Sequence, residues 1–375
     1  MNQDEAVQNQ GRTMKKPVHK RRRELYFDVL WIFAIYFMIF SYSEGANSYT
    51  LCEVATVPYY VCLLFSAFSR FPLWLCLMIS GALLLDKDES ILVIWKRRIS
   101  RVATILLLAS FAYYMNEVLS GREAFDLTRF IPDLYSRDQI PQFWYLYAYL
   151  GFLICLPFLR PMVKNMRNNV FLYLIAAVFV LSSILPLIDA KILLERYSLN
   201  PNMKLEWLME VIFIYPLMGY FFHHRLEQDV CKKLAPLLIA IDLVWMVYYV
   251  YMQAMSGVSA GNYDMYPSYH SPITMLHCVT LFITAKAYFS KREKSKCQRC
   301  IGSFGGCSLG IYLLHGFFIN NRIAAIEKLR LMLGGDIQNG KALFAGLLWA
   351  LIVYLICFII TWLIRRIPAM KRLTL

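Results

Sequence analysis

Charged side chains are what this sequence has least of. They make up 17% of its 375 residues, against about 25% in a soluble domain, while 59% are hydrophobic and 15% aromatic. Mean hydropathy is +0.47. A globule of this length would need more polar residues to cover itself, so the composition excludes a water-soluble enzyme and a disordered chain. The same composition excludes a disulfide-stapled secreted module, and most of the 10 cysteines are scattered through apolar stretches. No internal repeat of the kind that builds many transporters is visible, nor is a nucleotide-binding loop. The first 24 residues are polar and basic and hold no small-residue cleavage site, so the first span is expected to stay as a signal anchor.

A polytopic membrane protein remains. The net charge of +14 fits it, because the basic residues lie in short segments between apolar runs and form no patch interleaved with aromatics. That distribution argues for membrane lipids as partners and against nucleic acid. Crossing ~30 Å of hydrocarbon takes about 20 apolar residues at 1.5 Å each. Runs of this kind fall at 26–43, 59–85, 99–119, 143–162, 170–188, 207–222, 234–254, 272–289, 301–320 and 343–364. The second carries Pro72 in mid-run, which predicts a kink. With the N-terminus placed inside, 28 of the 39 Lys and Arg fall in cytoplasmic segments, and the outer loops 44–58 and 255–271 have none. The expected fold is therefore an all-α polytopic bundle of about ten transmembrane helices with both termini cytoplasmic. Its parts are a basic tail over 1–24, a membrane domain over 25–366 and a tail over 367–375.

An ionisable group in the hydrocarbon costs about 2.5–3.5 kcal/mol on insertion scales, so each one asks for a reason. Arg70 lies near mid-membrane and is expected to line a polar cavity. Asp242 sits in the seventh span, whereas Asp28 and Glu210 read equally well as interfacial groups. His277 and His315 both fall roughly 10 Å below the outer face at 1.5 Å per residue, and Tyr42 is at similar or slightly shallower depth. At the cytoplasmic start of the third span, Arg98 and Arg101 are spaced i, i+3 on one helix face. Two such guanidinium groups are suited to phosphate, although topology alone also demands basic residues there. Cys297 and Cys300 form a CxxC without a second pair, which reads as two free thiols and no metal site.

Several segments together resemble the membrane-bound acyltransferase 3 family, bacterial O-acyltransferases that modify cell-surface sugars. Phe27-Asp28-Val29-Leu30 with Ala34 is similar to the family's Asp-x-Leu-Arg-x-x-Ala opening. Arg70-Phe71-Pro72-Leu73-Trp74, running on to Ile79-Ser80-Gly81, resembles its Val-Pro-Leu-Phe-Phe-Met-Ile-Ser-Gly. Arg98-x-x-Arg101 falls where the family has an Arg-x-x-Arg pair. Phe143-Trp144-Tyr145-Leu146 resembles its Leu-Trp-Phe-Leu, and Ser308 to His315 its Ser-x-Gly-Ile-Tyr-Leu-x-His.

The resemblance implies an acyltransferase of the plasma (cytoplasmic) membrane. It would move an acyl group of acetyl or succinyl type from acyl-CoA, the co-substrate and chiefly acetyl-CoA, with no metal. The acceptor would be a hydroxyl of a surface polysaccharide or lipid-linked glycan, with polysaccharide-assembly proteins as possible partners. Arg98 and Arg101 would bind the coenzyme, and Tyr42, His315 and Arg70 would be the catalytic set. The outer-loop tyrosines Tyr263, Tyr266 and Tyr269 would stack on sugar rings or anchor the interface. One departure stands out: the family's first-span Arg and catalytic His are Trp31 and Tyr42 here. Either the base has moved, to His315, His277 or Glu44, or the acceptor needs little base assistance. The third possibility is a degenerate member, a glycolipid transporter or an assembly partner.

Overall fold

The computed structural model describes residues 24–136, 141–184, 211–260, 272–290, 296–320 and 341–367, all helices and connections without a strand among them. In chain order the helices are α1 (Leu25–Tyr42), α2 (Val57–Phe68), α3 (Pro72–Leu84), α4 (Ser100–Leu119) and α5 (Leu127–Ser136). Then come α6 (Trp144–Asn165), α7 (Asn168–Val178), α8 (Val211–His224), α9 (Gln228–Ala260) and α10 (Pro272–Phe289). The last are α11 (Lys296–Gly306), α12 (Ser308–Asn320) and α13 (Lys341–Ile364). Among the described residues seven helical stretches are long and apolar enough to cross a membrane, and an eighth if α11 and α12 make one span. The fifth and sixth expected spans appear as the shorter helices Asn168–Leu181 and Val211–His224, with 185–188 and 207–210 outside the described residues.

Lipid explains what lies outside. Leu237, Val244, Val247 and Tyr251 of α9, and Phe344, Ile359 and Leu363 of α13, are exposed. Apolar faces of this extent are stable only against other hydrocarbon. Inside, α1 is the hub and packs on α3, α10, α11, α12 and α13.

Close approach is made by glycine. A Cβ at Gly81 would lie 2.1 Å from the Pro216 carbonyl oxygen, and one at Gly219 would lie 1.9 Å from that of Met78. The backbones of α3 and α8 therefore touch directly, the small-residue packing that membranes favour. Lys286 is buried and donates to the carbonyls of Phe222, His223 and Leu226 at 2.7, 2.8 and 2.5 Å. It closes the C-terminal end of α8, where carbonyls lack intrahelical partners and the helix dipole is negative.

Helical hydrogen bonding lapses in two spans, of which the second bends sharply. The kink expected at Pro72 is an interruption: α2 ends at Phe68, Ser69 and Arg70 form a turn, and α3 restarts at Pro72. Proline has no N–H to continue the ladder, and it sits in the first turn of a helix without strain. The ninth expected span, 301–320, is not a continuous helix. It bends by 62° at Cys307, between Gly305-Gly306 and Ser308.

Candidate functional site

The segments singled out in the sequence meet at two places joined by one helix. The first lies around Gln142–Tyr145, at the start of α6. Trp144 donates its indole N–H to the Tyr42 hydroxyl at 3.2 Å and packs on Trp74 of α3 with ring centres 4.7 Å apart. Trp74 stacks in turn on Tyr215 of α8 at 5.6 Å. From the other side, Tyr312 donates to the Gln142 carbonyl at 2.7 Å and meets the Tyr145 ring edge-on at 5.7 Å. His315, fully buried, turns its Nδ1 to the Tyr312 carbonyl at 2.5 Å. Its Nε2 is buried without a partner, and so is the side-chain oxygen of Gln142. Buried polar atoms without a partner are uncommon, and each asks for an explanation such as strain, an ordered water or a catalytic role.

The second place is cationic. A π-helical turn over Ile94–Ile99 carries Lys96, Arg97 and Arg98 and runs into α4, where Arg101 follows. Turns of this kind recur at functional sites because they re-aim side chains. Arg98 and Arg101 remain electrostatic neighbours, both half-buried. Glu89 receives the Arg98 Nε and Nη2 at 2.8 and 2.6 Å. The buried Arg160 of α6 reaches the same carboxylate at 2.9 Å, the Glu89 carbonyl at 3.3 Å and the Leu84 carbonyl at 3.2 Å. The Arg98 and Arg160 hydrogen bonds bring the Glu89 carboxyl down to about 2, Arg98 contributing most and partial burial opposing them. Lys87 is lowered by burial and by the neighbouring Arg98. Arg98 is thus held as part of a Glu89-centred clamp through its Nε and Nη2, and Nη1 takes no part in it.

Tyr145 and Tyr149 connect the two places. One turn apart on α6, they stack with ring centres 6.0 Å apart. Ser80 of α3 lies within hydrogen-bonding reach of both. Tyr149 is in electrostatic range of Arg98 and Arg101, while Tyr145 touches Tyr312.

Of the residues singled out in the sequence, Tyr42 meets Trp144 of α6, His315 is one turn from Tyr312, which itself reaches α6, and Arg98 and Arg101 stay together. Arg70 is half-buried in the break between α2 and α3, and no hydrogen bond or ion pair engages it among the described residues. Phe68 on one side of that break packs on His277 at 5.4 Å, and Phe71 on the other stacks on Phe33 at 5.5 Å. Asp28 is buried, not interfacial, against Gly302 and Gly305 of α11. Glu210, Tyr263, Tyr266, Tyr269 and the side chains of Glu44 and Cys297 lie outside the described residues; Cys300 is an exposed free thiol. Glu89 and Arg160 were not among the sequence candidates. A reading of Asp86-Lys87-Asp88-Glu89 as an acidic segment beside a basic turn could have flagged the first.

A family model described as an acyltransferase domain (Acyl_transf_3) matches residues 24–366. Comparisons with curated proteins and with solved structures returned no match.

Proposed function

The chain belongs to the Acyl_transf_3 family of acyltransferases, and on that premise we propose that it transfers an acetyl- or succinyl-type group from acyl-CoA to a hydroxyl of a surface polysaccharide or lipid-linked glycan at the plasma membrane. The tyrosine ladder along α6 carries the proposal, because it links a phosphate-suited cationic cluster to the cluster of unpartnered polar atoms. Arg98 and Arg101 hold the coenzyme phosphates, which match guanidinium in charge and bidentate geometry. The pantetheine arm then follows Tyr149, Ser80 and Tyr145 towards Tyr42 and His315.

There the acceptor oxygen attacks the thioester carbon, the C–S bond breaks and the thiolate departs. The Tyr42 oxygen accepts from Trp144, which orients the phenol so that its O–H donates to the developing oxyanion as the thioester is attacked. A preorganised donor of this kind typically contributes about 10²–10³ in rate. A neutral tyrosine titrates near 10 and makes a poor base at pH 7, so the family histidine's proton-accepting role cannot pass to Tyr42 itself. The Nε2 of His315, unpartnered among the described residues, handles a proton at the thioester end, and Arg70 steadies negative charge in the cavity.

The test is thiol release from acetyl-CoA by the purified protein, with and without a crude glycan extract. Release that depends on the extract supports the transferase. Movement of glycolipid across vesicles without an acyl donor would instead identify a transporter.

A further inference from the structure

In the span α9, Asp242 is buried, and in α10 so is His277. The two are in direct contact, His277 Nδ1 donating to Asp242 Oδ1. The other ring nitrogen of His277, Nε2, is buried and has no hydrogen-bond partner among the described residues. An aspartate that fixes the imidazole tautomer and leaves a basic nitrogen aimed away from it is the arrangement by which hydrolases activate a hydroxyl. A packing histidine would have its second nitrogen satisfied, since an orphaned buried polar atom costs about 1–3 kcal/mol.

The pair also stands where the backbone opens. The His277 ring faces Phe68, the last residue of α2, and the Cys278 thiol points at the Phe71 carbonyl at 3.6 Å. Between those two contacts lie Ser69 and Arg70, the turn that interrupts the span. Broken helices at membrane depth are tolerated where they line a cavity, and they recur at binding sites. Cys278 is in electrostatic range of Cys76 and Tyr215, and Tyr215 stacks on Trp74, the partner of Trp144. His277 and its neighbour Cys278 thus meet the chain just before α3, and the Tyr42–Trp144 contact meets α3 at Trp74 in its first turn.

We infer that His277 is the base for the acceptor hydroxyl and Asp242 its positioning residue, replacing the histidine missing from the first span. This rests on the transferase reading above and names a group which that reading leaves open. In the step, the hydroxyl proton passes to His277 Nε2, the oxygen forms the C–O bond and the C–S electron pair leaves with the thiolate. The Asp242 carboxylate balances the imidazolium while it lasts. Tyr42 and His315 remain with the thioester.

The experiment measures thiol release from acetyl-CoA by the full-length protein in detergent, with an alkyl glucoside as hydroxyl probe and calorimetric acetyl-CoA affinity alongside. His277→Gln should lower kcat about 100-fold or more, and Asp242→Asn about 10-fold or more, both with unchanged donor affinity. The double variant should fall no lower than His277→Gln alone, because the pair acts as a unit. The acid limb of the pH–rate profile should vanish with His277. Should His277→Gln fail to give monodisperse protein, Asp242→Asn reads the same question. A wild-type rate and pH profile in either variant overturns the assignment, and so does a loss of rate matched by a loss of donor affinity. Wild-type protein that binds acetyl-CoA and releases no thiol overturns the transferase reading itself, and the inference falls with it.

Discussion

Replacing Glu89 by Gln should destabilise the protein at neutral pH by an amount the structure allows one to work out. The carboxyl falls from 4.5 to about 2 on folding, chiefly through the Arg98 and Arg160 hydrogen bonds. At about 1.4 kcal/mol per pKa unit that is about 3 kcal/mol of linkage. The side chain is 23% exposed, so solvent screening is expected to leave about half, ~1.5 kcal/mol. Because the folded-state value lies below the unfolded one, this stability is fully present above about pH 4.5 and is lost as pH falls towards 2. Glu89→Ala should cost more, about 3 kcal/mol, since the buried Arg160 would then lose even the side-chain acceptor oxygen that Gln retains. The assay is thermal unfolding in detergent, followed by tryptophan fluorescence between pH 3 and pH 8. Glu89→Gln should melt a few degrees below wild type at pH 7.5, with the gap closing as pH drops below about 4.5. Equal melting temperatures at pH 7.5, or a gap that does not narrow on acidification, would refute the clamp.

Three other perturbations follow from particular contacts. Gly219→Ala would push a methyl group into the Met78 carbonyl at 1.9 Å, so the α3–α8 crossing must open; the variant should lose about 3 kcal/mol or more and most of its monodisperse yield in size-exclusion chromatography. Lys286→Met removes three donors from the end of α8 and should cost about 2 kcal/mol in thermal stability, with Lys286→Arg recovering part of the loss. Trp144→Phe keeps the ring packing but deletes the donor to Tyr42; thiol release should drop about 10-fold while acetyl-CoA affinity stays the same.

Apolar run length exposed most of the architecture. The long runs became helices because a backbone in hydrocarbon has to satisfy its own hydrogen bonds. Pro72, read as a kink, marks the point where α2 gives way to α3 within one span. The bend at Cys307 was missed because Ile301 to Asn320 reads as one apolar stretch. The helix-weakening Gly305-Gly306 pair, which lets α11 press on Asp28 and Arg365, was the available clue.

The site was legible one residue at a time and not in its pairings. Arg160 looked like one more topological charge, yet it is buried and bound to Glu89, 71 positions away. Asp242 and His277 were each recognised as costly in hydrocarbon. Their mutual contact across 35 positions was not, because helix rotation, which decides it, is fixed by packing with no periodic signal in either span. The Trp144–Tyr42 contact is of the same kind, set by how α1 and α6 cross.

Everything proposed for the chemistry depends on a coenzyme donor bound at the cationic end of the ladder. That binding is tested most directly by calorimetric titration of acetyl-CoA into the detergent-purified protein beside the Arg98→Ala/Arg101→Ala variant. The account predicts saturable binding to the wild-type protein, and at least a 10-fold loss of affinity in a variant that stays folded. No binding to the wild-type protein up to millimolar acetyl-CoA, or equal affinity in the two proteins, would contradict it.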